Sequence, residues 1–354
     1  MKTDYIYTGT DAYQPPPDGL RDEQGREYFP YLPEPGLKKA LNLAIALQRP
    51  LLLEGEPGCG KTRVAAALVY ELSCKQLEDK SLPSKPSDWW NFYIWNVTST
   101  SRAQDGLYSF DAVGRLRDAQ LMGTDPDKLQ RVLGKKDAAS LKERMQDKTK
   151  YREFGPLGKA LREQTFRPVL LIDEIDKADS DFPNDLLLEL DELRFTISET
   201  DESIGPPQPE NAPIVLITSN REKPLPEAFL RRCLYYYVPF PKPETLKQII
   251  KARFGKRIAK KEQIVEQALA QFNKIHKLLE QQPGSRPPGT SELLEFLTAL
   301  IQEGEPMAEA IAEVEHLAED LPLLGTLIKT KADQDLYVQK FAQKFAQKSM
   351  QKTQ

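Results

Sequence analysis

The segment Gly55–Thr62 constrains the fold of this 354-residue chain more than any other. It reads GEPGCGKT and matches the pattern G-x-x-x-x-G-K-[ST] in full, directly after the apolar run Leu51–Leu53 and at the start of a helical pattern. Glycines let the main chain come close to a phosphate, and successive backbone N–H groups bind anions. The pattern therefore predicts a strand, a phosphate-binding loop and a helix whose positive end faces the same phosphates.

The loop also provides side chains with defined roles. Lys61 is predicted to place a positive charge at the β- and γ-phosphates, and the Thr62 hydroxyl is predicted to bind magnesium. Cys59 is either a small filler residue or, because a helix N-terminus lowers a thiol pKa, a redox-sensitive thiol. The predicted nucleotide-binding set is Gly55, Glu56, Pro57, Gly58, Cys59, Gly60, Lys61 and Thr62.

An acidic pair follows a second apolar run. Asp173 and Glu174 come directly after residues 169–172, and the carboxyl ends of parallel strands line the ligand crevice of an α/β sheet. Asp173 is therefore predicted to hold magnesium, and Glu174 to orient or activate the attacking water. An acidic pair after a strand also serves as a helix cap, but the phosphate loop in the same chain favours the catalytic interpretation.

Two further sets of polar residues follow. Asn220 ends another apolar run and either contacts the γ-phosphate or its attacking water, or serves as the turn residue that asparagine often is. Arg231 and Arg232 lie just before a predicted buried strand and are either solvated basic residues or a source of positive charge for a γ-phosphate. From the edge of the core such an arginine more easily reaches a neighbouring subunit's nucleotide, which requires a head-to-tail ring.

Hydrophobic periodicity predicts an α/β fold with a parallel sheet. Strands are predicted at 51–53, 91–97, 168–173, 213–219 and 233–240, and helices at 36–48, 61–74, 181–193, 243–279 and 290–320. Residues 194–198 are predicted to form one arm of a hairpin whose tip is 200–211. Residues 98–160 are predicted to be an insertion of short helices and loops, and the strand signal ends near 241.

Composition excludes several classes of site. Three cysteines and two histidines are too few for a disulfide framework, a zinc cluster or a histidine-rich metal site. The net charge of -4 gives no general argument for a nucleic-acid partner. No apolar run reaches the roughly 20 residues of a membrane-spanning helix. The polar N-terminus shows no signal peptide, so the expected location is the cytoplasm.

Several stretches together resemble the AAA+ ATPases, and specifically the MoxR-like group. They are LLLEGEPGCGKT, FGPLGKAL, VLLIDEIDKAD, LLLELDELRFTI, IVLITSN and LPEAFLRRC, in family order from about residue 36 to 240. The resemblance implies a P-loop NTPase core with a five-stranded parallel sheet flanked by helices, a C-terminal helical lid, the cofactors ATP and Mg²⁺, and a homo-oligomeric ring, usually a hexamer. On this basis the organisation is an N-terminal extension (1–30, extended or poorly ordered), an AAA+ core (31–241, with the insertion at about 98–160), a helical lid (242–330) and a polar tail (331–354).

The resemblance also assigns roles to single residues. It implies that Asn220 is the sensor on the fourth strand, and that Arg231 or Arg232 is the finger acting in trans, without choosing between them. Asn96 resembles the polar residue that restrains the catalytic glutamate. One position departs from the family, which often has an arginine at the start of the third lid helix. Here that helix begins at PGTSELLEF, with Arg286 a few residues upstream.

Three functions fit these residues. The first is a chaperone-like ATPase that remodels or matures a protein client, with a von Willebrand factor A domain partner on a separate chain, as the MoxR resemblance implies. The second is a nucleic-acid-dependent motor or loader, for which the acidic net charge and the lack of an added DNA-binding module argue against a nucleic-acid partner. The third is a nucleotide-gated regulatory switch that uses the same site with slow turnover.

Overall fold

The protein is described by a computed structural model over residues 5–77, 88–123, 135–163, 165–206, 208–259, 261–301, 314 and 316–340. The strands are β1 (Leu20–Arg21), β2 (Glu27–Tyr28), β3 (Leu51–Glu54), β4 (Phe92–Asn96), β5 (Tyr108–Phe110), β6 (Arg152–Phe154), β7 (Val169–Asp173), β8 (Phe195–Ile197), β9 (Glu202–Ile204), β10 (Ile214–Ser219) and β11 (Leu234–Tyr237). The α-helices are α1 (Pro35–Leu47), α2 (Lys61–Gln76), α3 (Ala103–Leu107), α4 (Ala112–Met122), α5 (Lys135–Gln146), α6 (Pro156–Arg162), α7 (Phe182–Asp185), α8 (Leu187–Glu192), α9 (Glu227–Leu230), α10 (Pro243–Phe254), α11 (Glu262–Glu280), α12 (Thr290–Leu300) and α13 (Leu321–Leu327). Residues 331–340 are also helical.

The chain divides into two compact units, each built from separate stretches of sequence. The first unit comprises Met1–Tyr7, Lys39–Glu54 and Trp90–Tyr236, and the second comprises Thr8–Lys38, Gly55–Trp89 and Tyr237–Gln354. The chain therefore passes from the first unit to the second where β3 ends and the predicted phosphate loop begins.

A five-stranded parallel sheet lies in the first unit, with the strand order β11–β3–β10–β7–β4. β10 pairs in parallel with β3 on one side and with β7 on the other, and β7 pairs with β4. The three central strands are almost entirely buried, as continuous apolar strands of a doubly covered sheet should be. The sheet confirms the predicted fold class and brings the carboxyl ends of β3, β10 and β7 to one edge.

The C-terminal part of the second unit is helical, as predicted. Helices α10 to α13 bury a common core that includes Leu246, Phe272, Phe296 and Leu324. The single helix predicted over 243–279 is wrong in one respect, because Gly255 takes a positive φ of 50° and separates α10 from α11. The helix predicted over 290–320 ends at Leu300, and residues 302–313 lie outside the described chain.

The helix predicted over 181–193 consists of two shorter helices, α7 and α8. Leu186 separates them with a backbone ψ of -3°. Because Phe182, Leu186 and Leu190 are all buried in the same core, the apolar spacing of four residues continues through the break and hides it.

Two antiparallel pairs contain strands that the sequence did not reveal. The hairpin predicted at 194–198 is confirmed as β8, but its second arm, β9, lies inside the segment predicted to be the tip. In the predicted insertion 98–160, β5 pairs with β6 in addition to the short helices. Partners so far apart in sequence leave no local signal, although Tyr108 and Phe154 are both buried. Residues 124–134 of the insertion lie outside the described chain.

The N-terminal lead-in is packed and hydrogen-bonded from residue 5 onward, rather than poorly ordered. β1 and β2 pair with each other, and the buried Glu71 of α2 accepts hydrogen bonds from the backbone N–H groups of Thr8 and Gly9 at 2.8 Å each. The Tyr28 ring is buried and lies 4.3 Å from the ring of Trp89, centroid to centroid.

Two further expectations concern the polar tail and the membrane. Residues 341–354 of the predicted tail, 331–354, lie outside the described chain. Within the part of the chain that the structure describes, no helix is both long enough and apolar enough to span a bilayer.

Packing of the lead-in generates a stability prediction. Tyr28→Ala should lower the free energy of unfolding by about 3–5 kcal/mol, because it removes a fully buried aromatic ring. Ile6→Ala, at an exposed side chain of the same segment, should change it by less than about 0.5 kcal/mol. Urea titration monitored by circular dichroism measures both. Equal, small effects of the two substitutions would show that the lead-in is not part of the folded core.

Candidate active site

The segment Gly55–Gly60 connects β3 to α2 and has the backbone that the glycine pattern predicts. Gly58 and Gly60 have positive φ values of 76° and 95°, which side-chain-bearing residues rarely adopt. A Cβ atom on Gly55 would lie 2.5 Å from the carbonyl oxygen of Val238. Each of the three glycines is therefore required by geometry.

Lys61 is the first residue of the 16-residue helix α2 and is only 6 % exposed. Its Nζ donates hydrogen bonds to the carbonyl oxygens of Gly55 and Glu56, both at 2.8 Å. Because these acceptors are neutral, they leave the positive charge of the buried ammonium uncompensated. A phosphate group would supply the missing negative charge, and the N-terminus of α2 would add its dipole.

The thiol of Cys59 is buried within the same loop. Burial raises the pKa of this thiol, and the nearby positive charge of Lys61 offsets only part of the effect. A thiol with a raised pKa is protonated at neutral pH and reacts slowly. The structure therefore favours the small filler residue over the redox-sensitive thiol.

The tip of the loop contacts the start of helix α12. The backbone N–H of Thr290 donates to the carbonyl oxygen of Gly58 at 3.1 Å. A Cβ atom on Gly289 would lie 2.8 Å from the Cα of Gly58, so this close approach requires glycine. Glu292 caps the helix by accepting the N–H of Gly289 at 2.9 Å. The resemblance implies an arginine at the start of this helix, but here the helix start contacts the loop through its backbone. Arg286 lies upstream and its side chain is exposed.

Asp173 and Glu174 lie at the carboxyl end of β7, as predicted. The Thr218 hydroxyl on the neighbouring β10 donates to Asp173 Oδ1 at 2.6 Å and accepts the backbone N–H of Glu174 at 2.8 Å. One buried hydroxyl thus fixes both acidic residues. Sequence analysis gave Thr218 no role. The available signal was its spacing, since residues 218 and 220 of an extended segment face the same side.

Glu174 has a left-handed backbone, with φ 58°, and its side chain is held by two residues. The Nδ2 group of Asn220 donates to Glu174 Oε1 at 2.9 Å, and Lys177 forms an ion pair with Oε2. The hydrogen bond with Glu174 raises the pKa of Lys177. The structure thus brings Glu174 and Asn220 together. Asn96, which resembles the residue that restrains the catalytic glutamate, pairs with Asp173 in the register of β4 and β7, and its side chain is exposed. The side-chain amide that contacts Glu174 belongs to Asn220 instead.

Arg231 and Arg232 follow α9 and differ in their surroundings. The Arg231 side chain is 78 % exposed and contacts Glu227 on the same turn at 3.2 Å. The Arg232 side chain is 39 % exposed, pairs with Asp191 at the end of α8, and donates to the carbonyl oxygen of Ala228 at 3.0 Å. Arg232 is therefore anchored within its own unit, whereas Arg231 extends into solvent.

A bound magnesium ion would need ligands beyond side chains. In the described ranges no group of three or more His, Cys, Asp or Glu residues could hold a metal. The Thr62 hydroxyl and the Asp173 carboxylate are the hard oxygen ligands that Mg²⁺ prefers, and this ion usually keeps phosphate and water oxygens as its other ligands. Thr62 and Asp173 belong to different units, so their convergence on one nucleotide stays a prediction.

Comparison with known proteins identifies one family. Residues 51–239, more than half of the chain, match the family described as "ATPase family associated with various cellular activities (AAA)". Comparison with curated proteins finds no match.

The solved structures that align with this chain have low sequence identity to it. They include a "putative ATPase" from Cytophaga hutchinsonii, with 12 % identity, a TM-score of 0.37 and coverage of 85 % of this chain and 78 % of that one. The FIGL-1 AAA domain in complex with ADP has 17 % identity, a TM-score of 0.37 and coverage of 82 % and 76 %. PCH-2 from C. elegans has 14 % identity, a TM-score of 0.39 and coverage of 80 % and 69 %. Likeness at this level carries no information about activity.

The contacts of Thr218 generate a prediction. Thr218→Val keeps the shape of the side chain but removes a donor from Asp173 and an acceptor from the N–H of Glu174, so it should lower the free energy of unfolding by about 1–3 kcal/mol. Thr298→Val, which removes an exposed hydroxyl bonded to Leu294 in α12, should cost less than about 0.5 kcal/mol. Denaturant titration compares the two variants. If the two substitutions cost the same, the hydroxyl of Thr218 does not hold the acidic pair.

Proposed function

Because the chain belongs to the AAA family of ATPases, we propose that Gly55–Thr62, Asp173, Glu174 and Asn220 form one ATP-hydrolysing site. The observation that carries this proposal is the order β3–β10–β7 in the sheet. The phosphate loop leaves the carboxyl end of β3, and the acidic pair lies at the carboxyl end of β7, two strands away. Adjacent strands are about 4.8 Å apart, so these two ends are separated by about 10 Å, which a triphosphate can bridge.

Each residue then has a chemical role. Lys61 and the N-terminus of α2 bind the β- and γ-phosphates, and the loop N–H groups hold the remaining oxygens. Thr62 and Asp173 would hold Mg²⁺, which when bound neutralises charge on the phosphates. Glu174 Oε1 is fixed by Asn220, and the carboxylate orients the attacking water and accepts its proton.

Arg231 is the better candidate for the finger that acts in trans. Its side chain is largely exposed, whereas Arg232 is held by Asp191 and by the carbonyl of Ala228. An arginine that reaches the γ-phosphate of a neighbouring subunit stabilises charge in the transition state and accelerates hydrolysis by about 10³–10⁵-fold. Contacts of this head-to-tail kind close into a ring, and the resemblance to the MoxR-like group favours a hexamer.

The function that we propose for this ring is remodelling of a protein client. The lid contacts the phosphate loop through Gly58, Gly289 and Thr290, so a change in the loop on hydrolysis would reach α12 directly. A ring of such subunits converts this movement into work on a bound protein. The MoxR resemblance favours a metalloenzyme or a von Willebrand factor A domain protein as the client or partner.

Two substitutions separate ATP binding from hydrolysis. Glu174→Gln should bind ATP normally but lower kcat by about 10²–10⁴-fold, because it removes the proton acceptor. Lys61→Ala should abolish binding, because the phosphates lose their cationic partner. A fluorescent ATP analogue and a phosphate-release assay measure the two steps. Glu192→Gln, which removes a half-exposed carboxylate paired with Arg194, is the control and should leave both unchanged. Normal hydrolysis by Glu174→Gln would refute the proposed site.

The ring and its arginine are tested by mixing inactive variants. Arg231→Ala and Glu174→Gln should each be nearly inactive alone. Their mixture should recover hydrolysis, because an Arg231→Ala subunit keeps its own Glu174 and receives an arginine from a Glu174→Gln neighbour. Arg232→Ala should retain more activity alone than Arg231→Ala. The absence of recovery under conditions where both variants assemble would contradict a finger acting in trans, and recovery with Arg232→Ala in place of Arg231→Ala would reassign the finger.

A further inference from the structure

We propose that Asp176, which the sequence motifs leave without a role, is a positioning residue for hydrolysis. It holds the loop after β10 so that the Asn220 amide meets the Glu174 carboxylate. This inference rests on the proposed function, because it gives Asn220 and Glu174 their catalytic roles.

The contacts of Asp176 are with the main chain of that loop. The residue is only 2 % exposed, and its Oδ2 accepts the backbone N–H of Asn220 at 3.0 Å and that of Glu222 at 2.8 Å. A carboxylate that accepts two N–H groups of one loop fixes the position of the loop relative to the segment that carries the carboxylate. That segment begins with Glu174, only two residues before Asp176, so one short stretch carries both the carboxylate and its anchor.

The two hydrogen bonds enclose a strained residue. Arg221 lies between Asn220 and Glu222 with φ 63°, a conformation that non-glycine residues adopt only when their surroundings enforce it. The Ser219 hydroxyl accepts the backbone N–H of Arg221 at 3.1 Å, so three successive N–H groups of the loop are bound by side chains. The result is a sharp turn that directs Asn220 Nδ2 to Glu174 Oε1 at 2.9 Å.

A purely structural role for Asp176 explains the arrangement less well. Its second oxygen, Oδ1, is buried and has no hydrogen-bond partner among the described residues. A half-satisfied buried carboxylate costs free energy, so stability alone does not account for a residue with one oxygen left unpaired. Buried polar groups that lack a hydrogen-bond partner concentrate at functional sites. Asp176 anchors the loop after β10, which in the described chain is the only loop that supplies a side-chain amide to Glu174.

The test compares Asp176→Ala and Asp176→Asn with the wild type. Asp176→Ala removes both acceptors and should lower kcat for ATP hydrolysis by about 10²-fold, the size of effect expected for a displacement of about 1 Å at a catalytic group. KM and the Kd of a fluorescent ATP analogue should change less than about twofold, because the phosphate loop is untouched. Asp176→Asn keeps one carbonyl oxygen for both N–H groups and should restore most of the lost kcat.

Two controls distinguish positioning from loss of stability. Asp118→Asn alters a carboxylate that is equally buried and accepts hydrogen bonds from Arg144 and Tyr151 in the insertion, so it should lower thermal stability but leave kcat unchanged. In the Asn220→Ala background, Asp176→Ala should cause little further loss of kcat, because the residue acts through Asn220. A full additional loss there, or an equal loss in Asp118→Asn, would overturn the inference.

The same assays keep this inference separate from the proposed function. If the wild type hydrolyses ATP, Glu174→Gln is inactive and Asp176→Ala has wild-type kcat, only the role of Asp176 is refuted. If Glu174→Gln hydrolyses ATP normally, the proposed site itself is refuted, whatever Asp176→Ala does.

Discussion

The central position of β10, between the strand that leads into the phosphate loop and the strand that carries the acidic pair, is the constraint on which the candidate site depends. The hydroxyl of Thr218 at its carboxyl end connects Asp173 to the backbone of Glu174, and Asn220, just beyond it, contacts the Glu174 carboxylate. A polar hydroxyl in so buried a strand is stable only because both of its hydrogen bonds are made. The apolar sheet therefore fixes the geometry of the candidate site through the polar end of β10.

Sequence reasoning was most successful where one local pattern carries the information. The glycines of the loop, the apolar strands and the acidic pair each have a signature of a few residues, and the sheet confirmed the strands. It failed where the determinant is a partner distant in sequence. The pairing of β5 with β6 and the packing of Tyr28 on Trp89 depend on contacts that no local window contains. Thr218 and Asp176 were missed for the same reason, because their roles are defined by the backbone groups that they contact.

At the start of α12, where the family resemblance implies an arginine, this chain has a main-chain contact with the phosphate loop. An arginine at the start of the lid helix would sense a phosphate by charge. Here Gly289 allows the backbone of α12 to approach Gly58, and Thr290 bonds to its carbonyl oxygen. A main-chain contact responds to the conformation of the loop rather than to charge, since it contributes no ion pair. Among the described residues, α12 is therefore linked to the phosphate loop through the main chain.

The two residues that contact the Glu174 side chain differ in how firmly they hold it. The Lys177 and Glu174 side chains are 41 % and 36 % exposed, and an ion pair of that exposure contributes about 0–1 kcal/mol. Thermal energy and an arriving water or phosphate are enough to break it, so Lys177 cannot by itself keep the carboxylate inactive. Asn220 is different, because its backbone is anchored to the buried Asp176. The loop after β10 is therefore the firmer of the two supports of Glu174 in the candidate site.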